Sequence, residues 1–288
     1  MRELQNKTFP IKSTLNCGAK LLDLSAPKVM AILNVTPDSF YDGGKYTNVN
    51  QALTRAELHI NAGADIIDIG AVSTRPKSKM ISESEELERL IPAIKAIQEC
   101  FPDIIISADT FKSSVAIKAA EVGATMINDI SGGTMDDDMF RAIADLQLPY
   151  VMMHIQGTPQ TMQDNPMYDS VVDDVFRFFL LRINRLKMMG VKDIILDFGF
   201  GFGKTLEHNY ELLHKMNKFN SLGYPILAGL SRKSMINKVL GIQASHALNG
   251  TSALNMIALL NGAKILRVHD VKEAKECIQL ANLNHLTS

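Results

Sequence analysis

Residues 104–133 restrict the possible folds of this chain more than any other segment does. The segment opens with three isoleucines, and its first apolar run stops before Asp109. Apolar residues then recur at helical spacing over 113–121, and a second apolar run, 124–127, ends at Asn128. A strand, a helix and a strand in this order favour parallel strands joined by a right-handed crossover. The polar residues that end the two strands are therefore expected side by side at one edge of a sheet.

The same alternation recurs along the 288 residues. Apolar runs predict eight strands, at residues 29–33, 65–69, 104–106, 124–127, 150–153, 193–196, 226–228 and 264–266. Helical spacing predicts eight helices, at residues 50–62, 82–99, 113–121, 136–145, 170–189, 206–219, 249–261 and 271–282. Eight such units predict an α/β fold, the (β/α)8 TIM barrel. A doubly wound open sheet usually has a glycine-rich fingerprint after its first strand, where this chain has LNVTP.

A short hairpin is predicted before the barrel. Residues 14–24 have the pattern of two short strands, with Cys17 and Gly18 at the turn. No low-complexity segment or block of charge interrupts the pattern that follows. We therefore predict a single domain over residues 1–288, in which residues 1–27 form an N-terminal extension and the hairpin.

The composition limits the partners of the chain. A formal net charge of -1 argues against a broad surface for nucleic acid or anionic lipid. No apolar run reaches the roughly 20 residues that a bilayer span needs, and the start of the chain lacks the apolar core of a signal peptide. The three cysteines have no metal-site spacing, as expected in a reducing compartment. We expect small-molecule substrates and a cytoplasmic location.

Polar residues occupy the ends of the predicted strands, which is where TIM-barrel active sites lie. They are Asn34, Thr74, Arg75, Asp109, Asn128, His154, Asp197, Lys233, Arg267 and His269. Taken singly, an aspartate or histidine at such a position more often caps a helix or pairs with a basic neighbour. Together they exceed what structure alone requires, since each polar group must be hydrogen-bonded or exposed.

These residues divide by chemistry into two groups. One group suits the edge of a flat heterocycle: Asp109, Asn128, Asp197 and Lys233. A carboxylate accepts two parallel hydrogen bonds from an amidine-like edge, and a lysine donates to a ring carbonyl. The other group suits an oxyanion such as a diphosphate, with or without a metal ion: Asn34, Arg267 and His269.

The glycine-rich segment GFGFGKT, residues 199–205, needs separate consideration. It is not a Walker A motif, because Phe198 stands where the first glycine is required. It is not a dinucleotide fingerprint either, because Lys204 occupies the third glycine position. We interpret it as a mobile lid that could bring Phe202 over a bound ring.

Seven segments resemble the dihydropteroate synthase family, in the order found there. They are LNVTPDSFYDGG (33–44), DIGAVSTRP (68–76), SADTFKSSVAIKAAEVGATMINDISGG (107–133), MMH (152–154), GFGFGKT (199–205), GLSRKS (229–234) and RVHDV (267–271). The resemblance runs from about residue 29 to the C-terminus. It implies a TIM barrel, usually a homodimer, that condenses a dihydropterin pyrophosphate with 4-aminobenzoate in folate biosynthesis and releases pyrophosphate.

The resemblance also implies roles for individual residues. The pterin would be bound by Asp109, Asn128, Asp197 and Lys233, in a pocket lined by Met152 or Met153 and by Phe202. Asn34 would lie at a Mg²⁺ ion, and Arg267 and His269 would bind the pyrophosphate. The aminobenzoate site would comprise Thr74, Pro76, Lys233 and Ser234, with Arg75 in the same loop. The catalytic residues would be Asp109, Lys233, Arg267 and His269.

The chain departs from the family pattern at three positions. The family often has proline at the position of Phe198, and it often has glycine at the positions of Lys77 and Ala71. These departures put the geometry of the loops in question.

Two alternative functions remain. A methyltetrahydrofolate methyltransferase would share the pterin-binding residues, but the STRP, SRKS and RVH segments favour the synthase. A non-catalytic pterin-binding barrel is the other alternative, against which the pair Arg267 and His269 argues.

Overall fold

A computed structural model of the chain describes residues 11–36, 45–73 and 80–285. The strands in those ranges are β1 (Thr14–Cys17), β2 (Lys20–Asp23), β3 (Lys28–Asn34), β4 (Ile66–Gly70), β5 (Ile105–Asp109), β6 (Met126–Asp129), β7 (Tyr150–Met153), β8 (Ile194–Asp197), β9 (Ile226–Ala228) and β10 (Ala263–Val268). The helices are α1 (Lys45–Asn61), α2 (Glu83–Cys100), α3 (Ser113–Glu121), α4 (Met139–Leu146), α5 (Val171–Met188), α6 (Leu206–His214), α7 (Ser234–Leu240), α8 (Leu248–Leu260) and α9 (Val271–His285).

The predicted TIM barrel is confirmed. Strands β3 to β10 form a closed barrel in which every neighbouring pair is parallel, with β10 next to β3. Strands β1 and β2 form the predicted antiparallel hairpin, and Gly18 at its turn has a φ of 71°. Helices follow the barrel strands and cover the outside. Within the barrel, every strand therefore has a hydrogen-bonded neighbour on both sides.

The hairpin packs against the inside of the barrel. Each barrel strand contributes one buried apolar residue to a single layer: Met30, Ile66, Ile105, Met126, Val151, Ile195, Leu227 and Ile265. Four hairpin residues join that layer: Leu15, Cys17, Leu22 and Leu24. Since the layer lies near the start of each strand, the hairpin closes the amino-terminal end of the barrel. The opposite end, where the polar residues lie, stays available for a ligand.

The helices differ most from the prediction at two places. The helix predicted at 206–219 ends at His214, and a 3₁₀ turn, Met216–Leu222, follows. In a 3₁₀ turn residues three apart lie on one side, which buries Met216 and Phe219 together. Helix α7 was not predicted, because its seven residues are too few to show periodicity. In the described ranges, no helix is long and apolar enough to cross a membrane.

Candidate active site at the carboxyl ends of the strands

Strand register brings the first polar residues to one level of the barrel. Asn34 pairs with Gly70, Gly70 with Asp109, and Asp109 with Asn128. The expected neighbours Asp109 and Asn128 are thus confirmed. Side chains two residues apart on a strand point to the same side. The inward layer above the apolar one therefore includes Asp68, two residues after Ile66.

Two glycines leave space between the polar side chains. A Cβ atom at Gly70 would lie 3.3 Å from Asp109 Oδ2 and 3.6 Å from Asn34 Oδ1. A Cβ atom at Gly229 would lie 3.7 Å from Lys233 Nζ, 3.9 Å from Arg267 Cβ and 4.0 Å from Asp197 Oδ2. Neither glycine has a positive φ, so space and not backbone conformation is what a side chain would change. Five of the predicted residues therefore converge on one opening: Asn34, Asp109, Asp197, Lys233 and Arg267.

Arg267 is held between two carboxylates. Its Nε donates to Asp68 Oδ2 at 2.7 Å, and its Nη2 donates to Asp109 Oδ2 at 2.7 Å. Asp68 Oδ2 also accepts a bond of 3.0 Å from Asn128 Nδ2. Burial alone would lower the pKa of Arg267, but Asp68 and Asp109 outweigh it and raise that pKa. Arg267 is a permanent cation at the base of the opening.

Sequence analysis assigned no role to Asp68. It is fully buried in β4, between strands that carry Asn34 and Asp109. A charged residue inside an apolar strand is costly unless a partner compensates its charge. The position of Asp68 within an apolar run was therefore the one sign in the sequence that it has a buried partner. Its partner, Arg267, lies 199 residues away in sequence, so the pairing itself could not be read from the chain.

The carboxylate of Asp109 is less acidic than usual. Burial raises its pKa to about 7, with Arg267 acting in the opposite direction and Asp68 adding to the increase. Burial also raises the pKa of Asp197, whose Oδ1 accepts a bond of 2.8 Å from Gly199 N. Lys233 opposes that increase. The two aspartates thus differ in their cationic partners, Arg267 for one and Lys233 for the other.

Lys233 reaches from the loop after β9 towards the loop after β8. Its Nζ donates to the carbonyl oxygen of Phe200 and lies 4.8 Å from the centroid of the Phe202 ring. Burial lowers the pKa of Lys233 to about 8, and Asp197 limits the decrease. Phe202 packs with Met153 in a small apolar cluster at this end of the barrel. A flat ring bound here would therefore meet apolar side chains as well as a cation.

His269 is oriented by Ser231. The Ser231 hydroxyl oxygen accepts from His269 N at 3.2 Å and lies 3.0 Å from His269 Nδ1. When the Ser231 O–H donates to Nδ1, the other ring nitrogen, Nε2, carries the proton of the neutral ring. Partial burial and the charge of Arg267 lower the pKa of His269, which favours that neutral form.

The glycine-rich loop, which we interpreted as a mobile lid, is anchored by hydrogen bonds from a buried lysine. Lys204 is buried, and its Nζ donates to three carbonyl oxygens, those of His154 (3.2 Å), Gly199 (3.1 Å) and Phe202 (2.9 Å). It also lies 3.0 Å from His154 Nδ1. Lys204 therefore fixes the backbone that carries Phe202 and is not an exposed anion ligand.

His154 does not belong to the ring of site residues. Its imidazole packs edge-on against Phe178, with ring centroids 4.8 Å apart, and it contacts Lys204. Burial, together with the charge of Lys204, holds the pKa of His154 well below its usual value. The structural role that is commoner for a single strand-end histidine is the one observed.

The remaining predicted residues are placed as follows. Met152 faces the helix layer, whereas Met153 lies in the apolar cluster with Phe202, so Met153 is the one of the two methionines on the side of the opening. Ser234 is exposed at the start of α7. Thr74, Arg75 and Pro76, as well as Lys77, lie outside the described residues. Of the departures from the family pattern, Phe198 and Ala71 both pack in the outer core, away from the opening.

The chain belongs to the pterin-binding enzymes. A family model described as "Pterin binding enzyme" matches residues 30–269, a range that covers all eight barrel strands except the first two residues of β3. Within that family the chain belongs with the dihydropteroate synthases, which are transferases. The dihydropteroate synthase of Haemophilus influenzae is 46% identical over 268 residues, which is 92% of this chain and 97% of that protein. That of Escherichia coli K12 is 47% identical over 261 residues, 90% of this chain and 92% of that protein.

Solved structures of such enzymes share the fold. The dihydropteroate synthase of Yersinia pestis with a sulfonamide drug superposes with a TM-score of 0.89 at 43% identity, covering 94% of this chain and 99% of that one. The enzyme of Xanthomonas albilineans with 7,8-dihydropteroate gives a TM-score of 0.85 at 36% identity, covering 94% and 98%. A structure of the same Xanthomonas enzyme contains 4-aminobenzoic acid.

Proposed function

We propose that this chain condenses 6-hydroxymethyl-7,8-dihydropterin pyrophosphate with 4-aminobenzoate, giving 7,8-dihydropteroate and pyrophosphate. The observation that carries the proposal is the convergence of two acceptors, two cations and a neutral imidazole on one opening: Asp109, Asp197, Lys233, Arg267 and His269. The ligands in the Xanthomonas structures, 4-aminobenzoic acid and 7,8-dihydropteroate, are a substrate and the product of this reaction.

The pterin would be held by its edge and by its face. Asp197 and Asn128 accept hydrogen bonds from ring N–H groups, and Lys233 donates to the ring carbonyl. Met153, in place of Met152, and Phe202 supply the apolar contacts to the ring. This arrangement favours rings that have N–H donors, because a ring without them would leave a buried carboxylate without a hydrogen-bond partner.

The leaving diphosphate would be stabilised by Arg267 and by the Nε2–H of His269. The C–O bond between the methylene carbon and the diphosphate breaks, and positive charge spreads into the pterin ring near Asp109. The neutral aniline nitrogen then forms the C–N bond and loses its proton to solvent. Since an aniline is nucleophilic without deprotonation, no residue is needed as a strong base. The protein's contribution is positioning and preorganised charge.

Mg²⁺ is the proposed cofactor, and Asn34 is the residue that would hold it. The Asn34 and Asp109 side-chain oxygens approach the same point beside Gly70, and oxygen atoms are the ligands that Mg²⁺ prefers. Among the described residues, no group of three or more His, Cys, Asp or Glu side chains could hold a metal. This donor set suits an ion that takes most of its ligands from substrate phosphates and water. Bound there, Mg²⁺ would supply positive charge to the diphosphate.

The second substrate would lie towards α7. Lys233 and Ser234 stand at the start of that helix, beside the opening, and the loop with Thr74, Arg75 and Pro76 is the proposed remainder of the 4-aminobenzoate site. These roles rest on the family resemblance and on the position of Lys233.

A homodimer is proposed on the basis of exposed apolar side chains on three helices, α7 to α9. They are Val239, Leu240, Ile257, Leu260, Leu280 and Leu283. Exposed apolar side chains in such number are common at subunit interfaces. Sedimentation velocity of a Leu260→Glu variant is expected to show monomers, while Met188→Glu on α5 keeps the wild-type size. A dimer that survives Leu260→Glu and Leu283→Glu together would contradict this interface.

The proposed location is the cytoplasm. Its support is that all three cysteines, Cys17, Cys100 and Cys277, are free thiols, as is usual in a reducing compartment.

The decisive test is pyrophosphate release by the full chain with both substrates and Mg²⁺. Release that requires 4-aminobenzoate is expected. A methyltransferase would instead act on methyltetrahydrofolate without releasing pyrophosphate, and a binding protein would retain pterin without turnover. Absence of 4-aminobenzoate-dependent release, with bound pterin detected, would overturn the proposed function.

A further inference from the structure

We propose that Asp68 is a positioning residue that makes Asn128 present its oxygen, and not its NH2 group, to the pterin. Asp68 does this from beneath the substrate, where one carboxylate oxygen binds both Asn128 and Arg267. The inference rests on the proposed function, since it concerns how that site recognises the pterin ring.

The orientation of Asn128 follows from hydrogen-bond chemistry. An asparagine amide has one donating end and one accepting end, whereas an ionised carboxylate only accepts. Asp68 Oδ2 lies 3.0 Å from the Asn128 amide nitrogen, so only the NH2 end can face it. The carbonyl oxygen of Asn128 is then the end left for a ligand. Asn128 is thereby an acceptor, like Asp197 across the opening.

Asp68 is paired with Arg267 inside the barrel. The aspartate is fully buried, and a buried carboxylate requires a compensating cation. Arg267 provides it through its Nε, at 2.7 Å from the same oxygen that binds Asn128. The other oxygen, Asp68 Oδ1, is buried without a hydrogen-bond partner in the described part of the chain. The carboxylate therefore has a strong partner on one oxygen only, and both dependent side chains meet there.

Asp68 acts on the substrate through other residues. It lies in the layer below the rim, two positions before Gly70, whereas Asn34 and Asp109 lie level with Gly70 itself. An alanine at position 68 removes the rule that fixes Asn128, because no accepting oxygen then faces the Asn128 amide. Asn128 is then free to turn its NH2 group towards the N–H donors of the ring. Pterin binding weakens although every residue at the rim is unchanged.

The first variant is Asp68→Ala, which removes the accepting oxygen. Asparagine is unsuitable here, because Arg267 would hold its carbonyl oxygen where Asn128 could still donate to it. The dissociation constant of 7,8-dihydropteroate, measured by fluorescence, is expected to rise about 10- to 100-fold, which is the usual effect of losing a hydrogen bond involving a charged group. The matched control is Asp193→Ala. Asp193 is also buried and ion-paired, with Lys12 at 2.6 Å, but it lies at the closed end of the barrel. The control variant is expected to be less stable than the wild type but to bind 7,8-dihydropteroate with the same affinity.

The second variant combines Asp68→Ala with Asn128→Asp. The carboxylate at 128 offers an accepting oxygen to the ring in either orientation, so no partner at 68 is needed to orient it. Affinity for 7,8-dihydropteroate is expected to recover by at least 10-fold relative to Asp68→Ala alone. Asn128→Asp alone places two carboxylates in contact, and it is expected to bind worse than the double variant.

Two results would overturn the inference. One is wild-type affinity in a folded Asp68→Ala variant. The other is an Asp68→Ala, Asn128→Asp double variant that folds, judged by circular dichroism and thermal unfolding, yet binds no better than Asp68→Ala. Either result with a fully active wild type leaves the proposed function intact. A wild type that neither binds 7,8-dihydropteroate nor releases pyrophosphate would count against the proposed function instead.

Discussion

Arg232 and Asp270 form a two-point ion pair, with Nε 2.9 Å from Oδ2 and Nη2 2.6 Å from Oδ1. The pair joins the loop after β9 to the loop after β10. Its members are the immediate neighbours of Lys233 and His269, so it fixes the distance between two site residues. Arg232 has a φ of 58°, a left-handed conformation that is rare for a residue other than glycine. The ion pair and a bond from Arg232 N to Thr251 help to hold it there.

The first prediction concerns this pair. Arg232→Lys keeps the charge but cannot form the two-point ion pair with Asp270. We therefore expect kcat/KM to fall several-fold without a large loss of stability. A double-mutant cycle with Arg232→Ala and Asp270→Ala, read by urea unfolding, is expected to give a coupling of about 1 kcal/mol, because the pair is partly exposed. The exposed pair of Lys118 and Glu121 serves as the control and should give less. No coupling between Arg232 and Asp270 would contradict a role in holding the loops.

The second prediction is a pH dependence set by Lys233. Burial lowers its pKa to about 8, so the ammonium that donates to the pterin is lost as the pH rises through that value. Affinity for the pterin is expected to fall between pH 7 and pH 9.5, as measured by fluorescence titration. In Lys233→Arg the charge persists, because a guanidinium does not deprotonate in this range, and the decline should disappear. A wild-type affinity that stays constant to pH 9.5 would contradict the assignment.

The third prediction concerns acid stability. Burial keeps His154 neutral in the folded protein, so its pKa is lower there than in the unfolded chain. The resulting stability is fully present above the unfolded pKa, about 6.5, and is lost as the pH falls below it. His154→Gln should therefore lose less stability than the wild type between pH 7.5 and pH 5, measured by urea unfolding. The same substitution at His246, which lies in an exposed turn, should leave the wild-type pH dependence unchanged.

The fourth prediction separates folding from turnover at Asp109. Asp109→Asn leaves Arg267 bound to Asp68, so the fold should persist. Turnover should fall about 100-fold or more, because the carboxylate no longer faces the positive charge that develops on the pterin. Asp103→Asn, on the exposed residue that precedes β5, is the control. Near-normal turnover by Asp109→Asn in the pyrophosphate-release assay would remove this residue from the mechanism.

Sequence reasoning located the rim residues because parallel strands end at the same edge. The strand that contains Asp109 and the strand that contains Asn128 were each recognisable as an apolar run with a polar end. Whether Met152 or Met153 faces inwards was not recognisable, because the run Tyr150–Met153 is buried on both faces and shows no alternation. A shift of one residue reverses the face of a strand.

Long-range contacts explain the remaining differences. Lys204 was interpreted as part of a mobile lid, since nothing in GFGFGKT indicates that its ammonium is enclosed by carbonyl groups from two loops. The role of Asp68 depends on Arg267, which becomes its neighbour only when the barrel closes. Local pattern thus predicts where elements lie, whereas tertiary contacts decide how charged groups are used.

The closed end of the barrel has a consequence for how the chain folds. The hairpin, which is synthesised early, packs on a layer that includes Ile265 from the last strand, β10. Leu15 and Leu22 therefore cannot complete their contacts until residues about 250 positions later in the sequence have been synthesised. Contacts between residues so far apart in the sequence form slowly. Until β10 has been synthesised, the apolar face of the hairpin stays exposed on the nascent chain. We therefore expect the unfinished polypeptide to bind chaperones.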